Sequence, residues 1–420
     1  MKTNRNRFIN NNEGIGFITA LIYSFPSIPI TSAQFIVYIL IPPIFSVMPS
    51  VGIALTGLAI MLSRIVDMIS DPLMGTFLDR LVSKLGWKIW LVLGFPLIAI
   101  GIYILLNPIS EFEVASLFFG LMTVTLGWTF FSIPWWSIGI YISGDSSRKR
   151  FKVVSVRELL TIPGIILGLL IAYFSDISSE IYLIASLLLL TPILIRKIPI
   201  PKPSLKESNS FLLSIRNLFE TDKNFRNLCL AYFFIGLSNG ITSILFILFV
   251  ENIIGASPLN FLIIYFGSAF LGFPFIYSLG LKFNKQKVWV FFIILACITF
   301  IPVYFFSNGD VYQFMTVCIL SGFCLGADLI LPASIQANIV FNAQETKNSV
   351  LSGKIYSVWS LIQKLSLALS AGICLPAIGY FGFNPSEEQY LLTPLSFSYG
   401  IMPIILRLPA IFFANNLKNN

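Results

Sequence analysis

Arg64, Asp67 and Asp71 fall within S-R-I-V-D-M-I-S-D-P, Ser63 to Pro72, in a stretch that otherwise reads as membrane-spanning. Even on the gentler insertion scales an ionisable residue costs about 2.5–3.5 kcal/mol at the centre of a spanning helix, so three together call for a function. Spacings of three and four residues put all of them on one helical face. Two carboxylates one turn apart, with a cation beside them, suit a small-cation or proton site. Hard oxygen ligands fit Na⁺ or Li⁺, and carboxylates side by side can instead share a proton. Other ionisable residues interrupt apolar runs further on: Arg157, Glu158, Asp328 and Lys364. Taken together, three cations (Arg64, Arg157, Lys364) face four acids (Asp67, Asp71, Glu158, Asp328), leaving one negative charge that a bound cation or proton would balance. Asp328 has two candidate partners across the helices, Lys364 and Arg157.

The elements that must hold these residues are transmembrane helices. The chain has 420 residues, of which 56% are hydrophobic and 11% charged. Apolar runs of about 20 residues follow one another, each long enough for a hydrocarbon layer of about 30 Å. They are continuous, not alternating, which excludes a transmembrane β-barrel. We count twelve candidate helices, roughly at 15–41, 51–78, 89–107, 114–143, 153–174, 181–198, 227–250, 259–280, 288–306, 312–341, 353–381 and 391–413. The first follows Lys2, Arg5 and Arg7 and is read as a retained helix, since no small-residue cleavage site succeeds it. The absence of histidine excludes His-based proton relays, metal sites and catalytic triads. Cys229, Cys297, Cys318, Cys324 and Cys374 lie in apolar stretches without a C-x-x-C pattern and read as small core residues.

Loop charge sets the orientation. Odd connections carry acids and no Lys or Arg: Glu111, Glu113, Asp176, Glu180, Glu251, Asp310, Glu387 and Glu388. Even connections carry Lys84 and Lys88, then R-K-R-F-K at 148–152, then Lys282, Lys285 and Lys287, then Lys347. By the positive-inside rule the even loops and both termini are cytoplasmic, so the net charge of +8 reflects topology and not nucleic-acid binding. The longest polar connection, with K-I-P-I-P-K-P-S and an amphipathic F-L-L-S-I-R-N-L-F, divides the chain. The expected domains are an N-terminal six-helix bundle at 1–198, a cytoplasmic loop at 199–226 and a C-terminal six-helix bundle at 227–420. This is an all-α polytopic membrane protein in the major facilitator layout, where two bundles rock about a central site.

After Asp71 the chain continues P-L-M-G-T-F-L-D-R-L-V-S-K-L-G-W-K. Gly75, Asp79, Arg80, Gly86 and Lys88 follow a pattern that resembles the loop motif between the second and third helices of the major facilitator superfamily, in lengthened form. Gly75 allows close helix packing, and Asp79 and Arg80 would make helix-end contacts and ion pairs that hold one gating state. With R-I-V-D-M-I-S-D-P-L-M-G, the chain also carries F-S-I-P-W-W-S-I-G, V-R-E-L-L-T-I-P-G, L-S-N-G, L-G-A-D-L-I-L-P-A-S-I-Q-A-N and W-S-L-I-Q-K-L, in that order. In this it is similar to the glycoside–pentoside–hexuronide:cation symporter family, typified by the melibiose permease.

The resemblance implies a cation site at Asp67 and Asp71, with Ser70 where a polar amide oxygen is often found and Thr129 supplying a hydroxyl. It implies that Lys364 sits against this site when the cation is absent. It implies solute contacts at Arg157 and Trp136. The family's sugar-transporting members carry acids in the first and fourth helices, where this chain has Ser27 and Ser132, so two acceptors of sugar hydroxyls are replaced. That shift favours an anionic or amphipathic solute over a neutral disaccharide, although Glu158 could instead simply pair with Arg157. Where the family often has an acid in the tenth helix this chain has Asn338, which weakens an expected cytoplasmic gate contact.

The expected function is symport of a small organic solute, sugar or sugar-acid-like, coupled to Na⁺ or H⁺. No cofactor and no enzymatic activity are expected, and the partners are the solute, a monovalent cation and the lipid bilayer. The protein is expected as a monomer in the inner (cytoplasmic) membrane. Two rivals stay open: an uncoupled facilitator or lysolipid-type flippase on the same fold, and a transport-inactive membrane sensor.

Overall fold

A computed structural model describes residues 16–39, 41–46, 48–86, 88–174, 211–347, 351–381 and 393–417. The candidate helix at 181–198, the basic segment K-I-P-I-P-K-P-S and Glu387 and Glu388 lie outside the described residues. Among the described residues the protein is helical. Among the described residues nine helical stretches are long and apolar enough to cross a membrane. The helices are α1 (Phe17–Ser24), α2 (Ser27–Ile39), α3 (Ile41–Ser46), α4 (Gly52–Leu85), α5 (Lys88–Leu106), α6 (Glu113–Ser143), α7 (Ser147–Phe174), α8 (Phe211–Thr221), α9 (Lys223–Phe249), α10 (Pro258–Lys282), α11 (Lys285–Phe300), α12 (Val311–Lys347), α13 (Ser352–Tyr380), α14 (Thr393–Gly400) and α15 (Met402–Asn415).

Two expected helices are broken. The first is interrupted at Phe25–Pro26, because a proline carries no N–H to continue the ladder, which separates α1 from α2. The last is interrupted at Ile401, just before Pro403, giving α14 and α15. α9 ends in a π-helical turn, Val250–Ile254, closed by Gly255 at φ 72°. Asp222 caps the start of α9 by accepting from the backbone N–H of Asn224 and Phe225.

The residues form two compact units. The first holds Met1–Arg216 and Ala337–Leu361; the second holds Asn217–Gln336 and Ile362–Asn420. In the first, α5 and α6 make the most extensive pairing, and α2 lies along α7. Small residues permit that approach: a methyl added at Gly94 would lie 2.9 Å from the Gly127 carbonyl, and one at Gly101 would lie 2.9 Å from that of Gly120. In the second, α9 pairs with α15. Its core holds Phe246, Phe249, Phe261, Phe314 and Tyr399, with Phe249 and Tyr399 stacked at 4.2 Å between centroids.

Candidate functional site

The helix-2 motif lies on α4, a helix of 34 residues that runs through Pro72 without a break. Pro72 has no N–H, so the Met68 carbonyl loses its usual helical donor beside the acids. Asp67 and Asp71 are 1% and 0% exposed. The Thr129 hydroxyl on α6 donates to Asp71 Oδ1 at 2.7 Å, so α6 brings the expected third oxygen to the pair. Ser70 is half-buried and donates to the Asp67 carbonyl at 3.2 Å, which keeps its lone pairs available. The side chain of Arg64 lies outside the described residues.

Further along α4 the gating motif takes its place within the same unit. Asp79 is buried, and its two carboxylate oxygens accept the backbone N–H groups of Gly353 at 2.8 Å and Lys354 at 3.1 Å. These are open donors in the first turn of α13, so Asp79 caps that helix in trans. The approach depends on two glycines: a methyl on Gly75 would lie 2.6 Å from the Gly353 carbonyl, and one on Gly353 would lie 2.6 Å from that of Gly75. Arg80 is exposed. Asn338 keeps a contact here. Its Oδ1 accepts from Arg150 Nε at 2.8 Å and its Nδ2 donates to Ser147 at 3.0 Å, so an amide replaces the acid and keeps the arginine bound. Gln344 donates to the Tyr141 hydroxyl at 2.9 Å nearby in the chain.

The expected solute residues also come together in this unit. Ser27, at the start of α2, donates to the Arg157 carbonyl at 2.9 Å. Arg157 Nε and Nη2 both reach Glu158 Oε1, at 2.9 and 2.5 Å, so the neighbouring acid does pair with it. Arg157 Nη1 nonetheless stays buried without a hydrogen-bond acceptor, as do the hydroxyls of Ser24, Ser132 and Ser155. The Arg157 guanidinium lies 5.8 and 5.9 Å from the rings of Trp135 and Trp136, within cation–π range of both. Trp135 is held in the bundle: its Nε1 donates to the Tyr23 carbonyl at 3.0 Å and its own carbonyl accepts from the Tyr23 hydroxyl at 2.8 Å. Trp136 is half-buried against Tyr356, with centroids 5.8 Å apart. An arginine donor, three hydroxyls and an aromatic face on α1, α6 and α7 can bind a polar, oxygen-rich solute.

The second unit corrects one expectation. Asp328 pairs with neither Lys364 nor Arg157. It accepts from Arg407 Nη1 at 3.2 Å through Oδ2 and from Trp289 Nε1 at 2.9 Å through Oδ1. Arg407 also donates from Nε to Ser238 Oγ at 3.1 Å and from Nη2 to Asn239 Oδ1 at 2.7 Å. Counting Arg407 with the intramembrane cations gives four against four acids, so the expected surplus negative charge disappears. What marks α4 as a cation site is then its local geometry, not the total charge. Lys364 is half-buried on the part of α13 in this unit. Arg407 was legible as a lone charge in the apolar run M-P-I-I-L-R-L-P. Tyr23, Ser24, Ser155 and Tyr356 carried no comparable signal, because hydroxyls and aromatics are ordinary in spanning helices.

A family model described as MFS/sugar transport protein matches residues 22–415. The uncharacterised symporter YnaJ of Bacillus subtilis (strain 168) is 23% identical over 399 residues, covering 86% of this chain and 83% of that protein. The fold is similar to that of the Escherichia coli fucose:proton symporter FucP, with a TM-score of 0.65, 16% identity and coverage of 96% of this chain and 99% of that one. It is also similar to a bacterial homologue of the iron transporter ferroportin in an outward-facing state, with a TM-score of 0.68, 15% identity and coverage of 95% and 98%.

Proposed function

The chain belongs to the MFS/sugar transport protein family, and on that premise we propose that it couples uptake of a small polar solute, sugar or sugar-acid-like, to the entry of Na⁺ or H⁺. It is a multi-pass membrane transporter and not an enzyme. The observation that carries the coupling is the pair of fully buried carboxylates on α4 with the Thr129 hydroxyl on Asp71. Two carboxylates and a hydroxyl gathered in one buried place offer hard oxygens of the kind that hold Na⁺, or a pair of acids that can share a proton. In this reading Asp67, Asp71, Thr129 and Ser70 hold the cation and Lys364 alternates with it, the ammonium neutralising the acids in its absence. Arg157, Trp136, Ser27 and Ser132 receive the solute. Arg157 Nη1 supplies the charged donor, Trp136 the stacking face, and the buried hydroxyls the remaining hydrogen bonds. With serines at the two acid positions, donors outnumber acceptors, which suits a solute rich in acceptor oxygens, as a sugar acid is.

Alternating access gives the rest of the mechanism. Asp79 on the α13 helix start, the Gly75–Gly353 contact and Arg150 on Asn338 hold one gating state. Loading of cation and solute would trade that state for the other, each ligand shifting the equilibrium by its difference in affinity. In this reading both termini are on the cytoplasmic side of the inner membrane, which the acidic odd loops and basic even loops support.

A ligand that binds only the folded state raises its apparent melting temperature by mass action. Purified protein is titrated with Na⁺, Li⁺ and K⁺ at two pH values, with Asp71→Asn alongside. A Na⁺-specific rise that Asp71→Asn abolishes supports sodium coupling at α4. A rise that follows pH alone and disappears in the variant supports proton coupling. Neither effect, together with counterflow indifferent to cation gradients, would overturn coupling in favour of an uncoupled facilitator.

A further inference from the structure

The buried polar cluster of the second unit has no part in the mechanism above. Asp328 on α12, Arg407 on α15, Trp289 on α11 and the Ser238–Asn239 pair on α9 all lie inside membrane-spanning stretches. A buried ion pair of this kind stabilises a bundle no better than apolar side chains of the same volume would, so stability alone does not account for it. The orientation it imposes does. Asp328 and Ser238 fix the guanidinium, and Arg407 Nη2 then donates to Asn239 Oδ1 at 2.7 Å. With its oxygen taken by a cation, the amide can only point its Nδ2 hydrogens the other way. Asn239 is half-buried, and among the described residues its Nδ2 makes no hydrogen bond. Two amide hydrogens turned to hydrocarbon would each lack a partner at a cost of several kcal/mol per group. Water or a solute would supply the acceptors they need.

We infer that Asn239 is a solute-contacting residue of the second unit, donating to a hydroxyl or carboxylate oxygen, and that Arg407, held by Asp328, is the residue that positions it. The cluster is electrically balanced, so Asn239 reads a solute by geometry and donor pattern and not by net charge. This role rests on the solute-transport reading above.

The test uses the full chain in membrane vesicles with a hydrophilic, membrane-impermeant thiol reagent. The five native cysteines are buried and provide the unlabelled baseline. Asn239→Cys is expected to label, while Ala231→Cys, buried on the same helix, and Leu271→Cys, 78% exposed on α10, stay unlabelled. An unlabelled Asn239→Cys overturns the inference whatever the solute. D-galactose and D-galacturonate, which differ only in the carboxylate, are the transport probes. For whichever is carried by the unmodified protein, excess sugar should slow labelling. Asn239→Leu should raise its KM about three- to tenfold, the worth of one or two neutral hydrogen bonds, with little change in maximal rate. The paired change Asp328→Asn with Arg407→Gln removes the ion pair without stranding a charge, and it should raise KM in the same way while the protein keeps its melting temperature. A carried sugar that neither protects the cysteine nor shows a raised KM in Asn239→Leu overturns the contact. Transport of neither sugar by the unmodified protein would instead count against the sugar reading of the substrate.

Discussion

At the scale of single residues, burial separates groups that act from groups that only pack. Asp328 and Arg407 are buried together, and removing one partner strands the other in a low-dielectric interior. Asp328→Asn alone and Arg407→Gln alone should each lower stability by about 3–5 kcal/mol, while the double change should cost far less than the sum. Unfolding in detergent with all three variants checks this; additive losses would mean the two side chains do not depend on each other. Asp67 and Asp71 were evident from the sequence because carboxylates are rare in apolar runs and their spacing needs no tertiary information. Arg407 was equally visible as a charge, yet its partner was not, since the residues between Asp328 and Arg407 say nothing of which helices adjoin.

At the scale of elements, small residues and helix ends do the positioning. α4 comes close to the start of α13 only because Gly75 and Gly353 present backbone to backbone, and Asp79 then caps the α13 N-terminus. Gly75→Ala should separate the helices and cost about 1–3 kcal/mol as an overpacked contact. Asp79→Ala should cost about 0.5–2 kcal/mol through loss of the cap, and Asp79→Asn should recover most of it because the amide oxygen still accepts. Thermal unfolding of the three variants distinguishes a capping role from a general need for charge; an Asn variant as damaged as Ala would sink the capping account. The motif was readable as a pattern of glycine and charge. Its partner on α13 was not, because nothing along the chain says which helix start lies beside α4. The breaks in the first and last expected helices follow Pro26 and precede Pro403, but proline also occurs inside unbroken α4, α6 and α7, so periodicity alone did not locate them.

At the scale of the whole molecule, charge distribution across loops dictates orientation. A fluorescent protein fused after Asn420 should fluoresce and alkaline phosphatase fused there should be inactive, as expected of a cytoplasmic end; the reverse pair would invert the topology. The same result is expected for fusions at the N-terminus, since the expected twelve crossings would return the chain to its starting side.

Composition and hydropathy by themselves determined that this is a helical membrane protein, because a chain crossing hydrocarbon must satisfy its backbone within each segment and so declares every span as an apolar run. Loop charge determined the expected orientation, and intramembrane charge singled out α4. Only the tertiary structure decided which groups meet: Thr129 on Asp71, Asp79 on the α13 start, an amide holding Arg150, and Arg407 on Asp328 in place of the expected partners. Those pairings depend on which helices are neighbours and on their rotation about their own axes. Both are set by small-residue packing between segments far apart in the chain, which leaves no periodic trace along it.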